Sequence, residues 1–216
     1  MPLPSAYVST DSVVINGTPR NLSRLYHQTW TDPAAADDNG HVTTVAGPNA
    51  TTATYSRAAG TLTGVLAGIH DFPRNVVITV THATAVVALS GVITGKDIYG
   101  RVMTEAWAVT AGTTSKVFTG TKAFAIVDSI TVIAATDASA DSVIIGSGAV
   151  FGLDLNCSIA KGVLTLEDGS VVTTGTVVAK STSATADPRG TYAPNTAPNG
   201  THDYELAYVT DHPEAS

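Results

Sequence analysis

Charge is scarce in this sequence: Asp, Glu, Lys and Arg together make up 13% of its 216 residues, about half the usual quarter. No Lys/Arg cluster occurs along the chain, and with a net charge of −7 and a pI near 5.1 it lacks the phosphate-neutralising footprint of a nucleic-acid binder. DNA and RNA are therefore not expected partners. There is one cysteine, Cys157, which excludes an internal disulfide framework. No apolar run approaches the roughly 18 residues of a membrane-spanning helix. Met1 to Thr10 has neither the basic nor the apolar region of a secretory signal, so synthesis in the cytoplasm without a membrane partner is expected. Helix signals are also missing, because no apolar stripe at three-four spacing persists for a dozen residues between capping residues.

What the chain has in place of charge is 44% hydrophobic residues together with abundant Thr, Ser, Gly and Ala. The implied surface is polar but sparsely charged. Such a surface suits a protein that buries much of its exterior in an assembly and does without the charged coat that keeps free monomers apart. The length fits one all-β domain, or one domain with an arm.

Two regions differ in texture. Residues 1–68 contain Pro2, Pro4, Pro19, Pro33 and Pro48 and the turn-forming cluster Asp37-Asp38-Asn39-Gly40, and are expected to form an extended, irregular arm with few short strands. One of these is Ser12 to Ile15, closed by the hairpin dipeptide Asn16-Gly17. Tyr26 and Trp30 are the candidate arm contacts, since large aromatics on a loose segment need a groove, either on the same chain or on a neighbouring subunit.

Residues 69–216 are expected to form an antiparallel β domain. Val76, Ile78 and Val80 would share one face of a strand, and further strands are expected over 85–94, 101–109, 123–134, 142–145 and 150–156. Gly146-Ser147-Gly148 reads as a bend between the last two. Leu164 and Leu166 alternate with polar residues up to Asp168-Gly169, a dipeptide suited to a tight hairpin turn, and 171–179 returns. A last strand, 202–209, places Tyr204, Leu206 and Tyr208 on one face. Short strands without helical crossovers predict an antiparallel β-sandwich or jelly-roll-like barrel.

Catalytic patterns are not evident. No Gly-x-Ser-x-Gly elbow is present, and Gly146, Gly148 and Gly152 are not followed by the Lys-Ser/Thr of a phosphate loop. An EF-hand centred on Gly40 would need oxygen ligands at Ala35 and Ala46. The histidines His27, His41, His70, His82, His202 and His212 show no metal-binding spacing. A glycosidase would require two of Asp97, Glu105, Asp128 and Asp154 to face each other across a cleft. Cys157 reads as a buried thiol. The expectation is a protein that is not an enzyme and holds no cofactor or metal.

Several segments carry a resemblance. Val92 to Glu105 holds a Thr-Gly-x-Asp-x-x-Gly turn, with Gly95, Asp97 and Gly100, followed by a Thr-Glu strand. Gly120-Thr121-Lys122-Ala123-Phe124 follows, and Asp187-Pro188-Arg189-Gly190-Thr191-Tyr192 lies near the C-terminus. These segments, with the Gly-rich run 145–153, the Pro-Asn-Gly turn at 198–200 and Tyr204 to Asp211, resemble structural proteins of tailed bacteriophages over roughly residues 74–212. That resemblance implies a virion protein with no catalytic residues, and foremost a head decoration or cement protein. It would be made in the host cytoplasm and sit on the capsid surface against the major capsid protein. Covering its strand edges would call for a homo-oligomer, with a trimer natural beside capsid three-fold axes. A tail-tube or neck subunit and a carbohydrate-binding or adhesin β domain remain alternatives.

Overall fold

The computed structural model describes residues 12–15, 18–21 and 24–210, and every element among them is a strand: β1 (Ser12–Ile15), β2 (Thr18–Asn21), β3 (Arg24–Trp30), β4 (Asp37–Ala46), β5 (Thr52–Ser56), β6 (Ile69–Thr81), β7 (Leu89–Lys96), β8 (Val102–Val109), β9 (Ser115–Ala134), β10 (Ser142–Gly152), β11 (Cys157–Glu167), β12 (Ser170–Val171), β13 (Thr176–Ala179), β14 (Gly190–Ala193) and β15 (Tyr204–Thr210). All pairings are antiparallel. The all-β expectation holds.

A nine-stranded sheet runs β13-β14-β10-β6-β9-β7-β8, with β4 added to β10 and β5 to β9. Its alternation follows the sequence: β7 and β8 bury every second residue, and Val76, Ile78 and Val80 are all fully buried. Register shifts along β6–β9 and β7–β9 bend the long strand β9, and such bulges increase local twist, so the sheet curls over its apolar face. Gly95 sits at one shift, where a Cβ would lie 2.2 Å from the Ile126 carbonyl oxygen. The enclosed core includes Val42, Ile78, Ile93, Trp107, Phe124, Ile130 and Ile145. Each such side chain contributes about 1.5–3 kcal/mol by leaving water.

The second sheet, β12-β11-β15-β3, covers the other end. Between it and the β14–β10 end of the large sheet lies a core of Trp30, Phe151, Leu153, Cys157, Tyr192, Tyr204, Leu206 and Tyr208 with Val177. Trp30 stacks on Phe151 and Tyr192 at centroid distances of 5.2 and 5.6 Å. β10 ties the cores together, with Val143 and Ile145 in the first and Phe151 in the second.

Several local expectations change. Gly146-Ser147-Gly148 is the middle of one continuous strand, not a bend: a Cβ at Gly146 would be 1.8 Å from the Asp37 carbonyl oxygen, and one at Gly148 would be 2.3 Å from Asn75 Oδ1. These glycines admit close neighbours. Asp37 to Gly40, a turn by composition, is the start of β4, because pairing with β10 overrides local turn preference. The return expected over 171–179 divides, β12 staying with β11 and β13 joining β14 in the other sheet. Residues 24–56, expected within the arm, supply β3, β4 and β5, paired to β15, β10 and β9. Among the described residues β1 and β2 pair with each other and with no other strand, Ile15 opposite Thr18, and the Asn16-Gly17 dipeptide between them lies outside the described residues. Asp168 and Gly169 have φ of 50° and 74°, as a tight hairpin turn requires.

Trp30→Ala should lower stability by about 3–5 kcal/mol in urea unfolding, whereas Leu25→Ala, on the outer face of the same strand and 63% exposed, should change it by less than about 0.5 kcal/mol. Equal small effects would place Trp30 outside the folding core.

Candidate functional site

Three of the segments that carry the sequence resemblance meet. The turn between β7 and β8 is built on Asp97: its Oδ1 accepts the amides of Tyr99 and Arg101 at 2.8 and 2.9 Å, and its carbonyl accepts the Gly100 amide at 3.0 Å. Gly100 adopts φ of 77°, which suits a residue without Cβ. With Oδ1 committed to the turn, Oδ2 accepts from Arg189 Nη1 at 2.7 Å. Both side chains are about 5% exposed, at 5% for Asp97 and 6% for Arg189.

Arg189 is presented by a second carboxylate-centred turn. Asp187 Oδ1 accepts the amides of Arg189 and Gly190 at 2.9 and 3.1 Å, and its Oδ2 accepts the Ala123 amide of β9 at 2.9 Å. Gly190, at φ of 100°, is required here, since a Cβ would lie 2.4 Å from the Val178 carbonyl oxygen.

The third segment closes the set. Glu105 Oε1 accepts both the amide and the hydroxyl of Thr121 at 2.6 and 2.8 Å, and Lys122 Nζ donates to the Thr104 carbonyl at 2.8 Å. Gly95, Asp97, Gly100, Asp187, Arg189 and Gly190 therefore all belong to one locus joining β7, β8, β9 and the approach to β14.

Tyr99 roofs the ion pair. Arg189 Cζ lies 5.5 Å from its ring centroid, a cation–π distance, and the buried Nε and Nη2 of Arg189 have no hydrogen-bond acceptor. The Tyr99 hydroxyl donates to the Asp154 carbonyl at 2.7 Å, although the residue is 55% exposed. Asp154 is tied to β3: its amide donates to Gln28 Oε1 at 2.9 Å and its Oδ1 accepts from Gln28 Nε2 at 3.1 Å. Burial pushes the Asp154 carboxyl up from the ordinary range, against the opposing pull of Arg189 and Tyr26. Burial, and then Asp154, likewise raise the hydroxyls of Tyr26 and Tyr99. Of the two arm aromatics, Tyr26 thus reaches the locus through Asp154, while Trp30 is in the second core.

An open groove of about 510 Å³ runs beside the locus, lined by Arg101, Val102, Lys122, Asn156, Ser183 and Arg189 among others. The four carboxylates weighed as a hydrolytic pair have separate partners: Asp97 and Glu105 as above, Asp128 at 3.8 Å from Lys96, and Asp154 with Gln28. The locus holds segments in place. Asp97, Asp187 and Glu105 each position backbone amides.

Sequence spacing did not reveal that His41 and His70 meet, at 2.9 Å between their Nε2 atoms, because β4 and β6 are brought together only by the sheet. Among the described residues no group of three or more His, Cys, Asp or Glu side chains is arranged to hold a metal ion. Cys157 is buried, its thiol donating to the Ile159 carbonyl at 3.1 Å.

Asp97→Asn keeps the turn acceptor but leaves the Arg189 charge buried without its counterion, and should lower stability by about 3–5 kcal/mol. Adding Arg189→Met should recover part of that loss, giving a coupling energy of about 0.5–3 kcal/mol in a denaturation double-mutant cycle. Strict additivity would contradict the pairing. Comparison of the chain with protein-family models, with curated proteins and with solved structures yields no match, so the role of this locus rests on its geometry.

Proposed function

We propose that this chain is a structural protein of a tailed-phage particle, a head decoration protein that seats on the major capsid protein and stabilises neighbouring capsomers. The observation that carries this reading is the convergence of three of the resembling segments on one buried locus. These three segments set the geometry of the β body around Asp97 and Arg189. Such a body acts by shape and surface, and many identical contacts on one shell supply avidity without any dominant single residue.

The surface supports the same reading. Val163, Leu164 and Val171 are 58%, 40% and 67% exposed along β11 and β12, at one edge of the smaller sheet, and β3 is its other edge. Edges of this kind are covered in stable assemblies, and a closed homo-oligomer, a trimer in our reading, provides the cover. Of the arm read from the sequence, the β1–β2 pair, separate from both larger sheets, is the part left to reach a neighbour.

Gold-conjugated antibody against the chain should label the heads of intact particles in electron micrographs. Label on tails or necks would replace the decoration reading with a tail-tube or neck subunit, and particles without label would contradict a virion role. Light scattering of the purified chain should give three times its 22.0 kDa mass; a monomer at all concentrations would contradict the closed oligomer.

A further inference from the structure

His41 on β4 and His70 on β6 lie ring to ring, 0% and 7% exposed, with centroids 4.7 Å apart. Their outer nitrogens fix where the protons are. The Gly68 amide donates to His41 Nδ1 at 3.3 Å, so that nitrogen is an acceptor and the proton of neutral His41 is on Nε2. His70 Nδ1 faces the Phe124 carbonyl oxygen at 2.6 Å, which can only accept, so Nδ1 carries the proton of His70. His70 Nε2 then accepts from His41 Nε2 at 2.9 Å. The chain runs from the Gly68 amide through both rings to the Phe124 carbonyl and uses every ring nitrogen once. An added proton has no spare lone pair: at His41 Nδ1 it displaces the Gly68 amide, and at His70 Nε2 it breaks the bond between the rings.

What this chain secures is residues 57–68, the connection between β5 and β6. Its N-terminal part is held by the Arg57 amide to the Asp128 carbonyl at 2.9 Å and the Thr61 amide to the Ser56 carbonyl at 3.0 Å, and its C-terminal part by Leu66 amide to Gly40 carbonyl at 2.7 Å, Gly64 amide to His41 carbonyl at 2.9 Å, Val127 amide to Gly68 carbonyl at 2.7 Å, and the buried Leu62. Three of its residues, Gly60, Ala67 and Gly68, are at positive φ of 67°, 45° and 87°, unfavourable for the alanine. His70 lies where β6–β9 pairing skips from Ile69 opposite Ile126 to Arg74 opposite Phe124, so its bond to Phe124 stands in for a missing pair.

The charged groups around the rings do not offset this arrangement. On β6, Asp71 and Arg74 pair at 2.9 Å and act on His70 in opposite directions. From the connection, the Arg57 side chain lies against Gly68, and from β4, Asp37 lies beside Gly40. On β9, Asp128 is 3.8 Å from Lys96. Burial first, then the neighbouring ring, pushes His41 down to about 3, and burial pushes His70 down to about 4, from an ordinary 6.5. An opened histidine takes a proton near its ordinary value and a closed one does not, so the closed arrangement is fully stable above about 6.5 and weakens as pH falls from there towards about 4.

We propose that the His41–His70 chain is an acid-released latch: neutral, it clamps residues 57–68 over the first core, and protonated, it lets that segment lift while both sheets remain. Hydrogen-exchange protection of the full chain, followed from pH 7.5 downward, tests this. Protection at Gly64, Leu66, Gly68 and Val127 should fall about tenfold per pH unit for each proton gained, while Leu206 and Tyr208 in the second core hold level. In the double variant His41→Gln and His70→Gln, which keeps acceptors but does not titrate, the fall should vanish. Level protection of the segment down to global unfolding, a fall in step with the second core, or an equal fall in the variant would overturn the proposal. Should circular dichroism show that the variant does not fold, nuclear magnetic resonance titration of the native rings decides. Both imidazoles must take up protons over the pH range in which the segment opens, and rings that titrate without any change in protection would overturn it.

Discussion

Asp97 and Arg189 come from segments far apart in sequence, and their contact at 2.7 Å orders much of what surrounds it. A buried ion pair is weak evidence of net stability, because desolvation offsets attraction, but once formed it makes alternatives costly: either charge left alone in that site is penalised heavily. The carboxylates around the pair extend the effect. Asp97 also defines its own turn, and Asp187 holds both the approach to Arg189 and the Ala123 amide in the middle of β9. Three connections that a polar, Gly-rich sequence would otherwise leave soft are thereby given one arrangement.

On that arrangement the two cores depend in different ways. The first is aliphatic and wrapped by a curled sheet whose bulges need Gly95 where β7 crosses β9. The second is aromatic, with Trp30, Phe151, Tyr192, Tyr204 and Tyr208 under the smaller sheet, and it is entered directly after Gly190 through Tyr192. A displaced Arg189 turn would shift β14, and with it the stacking of Tyr192 on Trp30 at 5.6 Å. Polar specification and apolar packing are coupled through three consecutive residues.

Period-two alternation made the Val76–Val80 part of β6, and β7, β8 and β15, legible from sequence alone, because buried, mostly apolar residues recur at every second position of each, although β8 also turns Glu105 inward. β4 was not legible. Its first residues, Asp37 to Gly40, have turn chemistry, and only the neighbouring strand β10 makes them a strand. The same holds for Gly146 to Gly148, whose glycines answer to contacts from Asp37 and Asn75 that no local window contains. At the site, Asp97, Gly100 and Asp187 do sit in turns, whereas Gly95 lies inside β7, and that Asp97 would find Arg189, or His41 would find His70, depends on sheet order. Periodicity does not encode that order.

In this picture the chain is an all-β body in which the Asp97, Glu105, Asp187 and Arg189 side chains are committed to partners within the chain. The most direct test is native-state hydrogen exchange at the Ala123, Arg189 and Gly190 amides, which donate to Asp187. If the locus is the fixed centre of the fold, these amides exchange only through global unfolding, with the same denaturant dependence as the core amide of Ile130. Exchange through local opening, with Ile130 still protected, would contradict it.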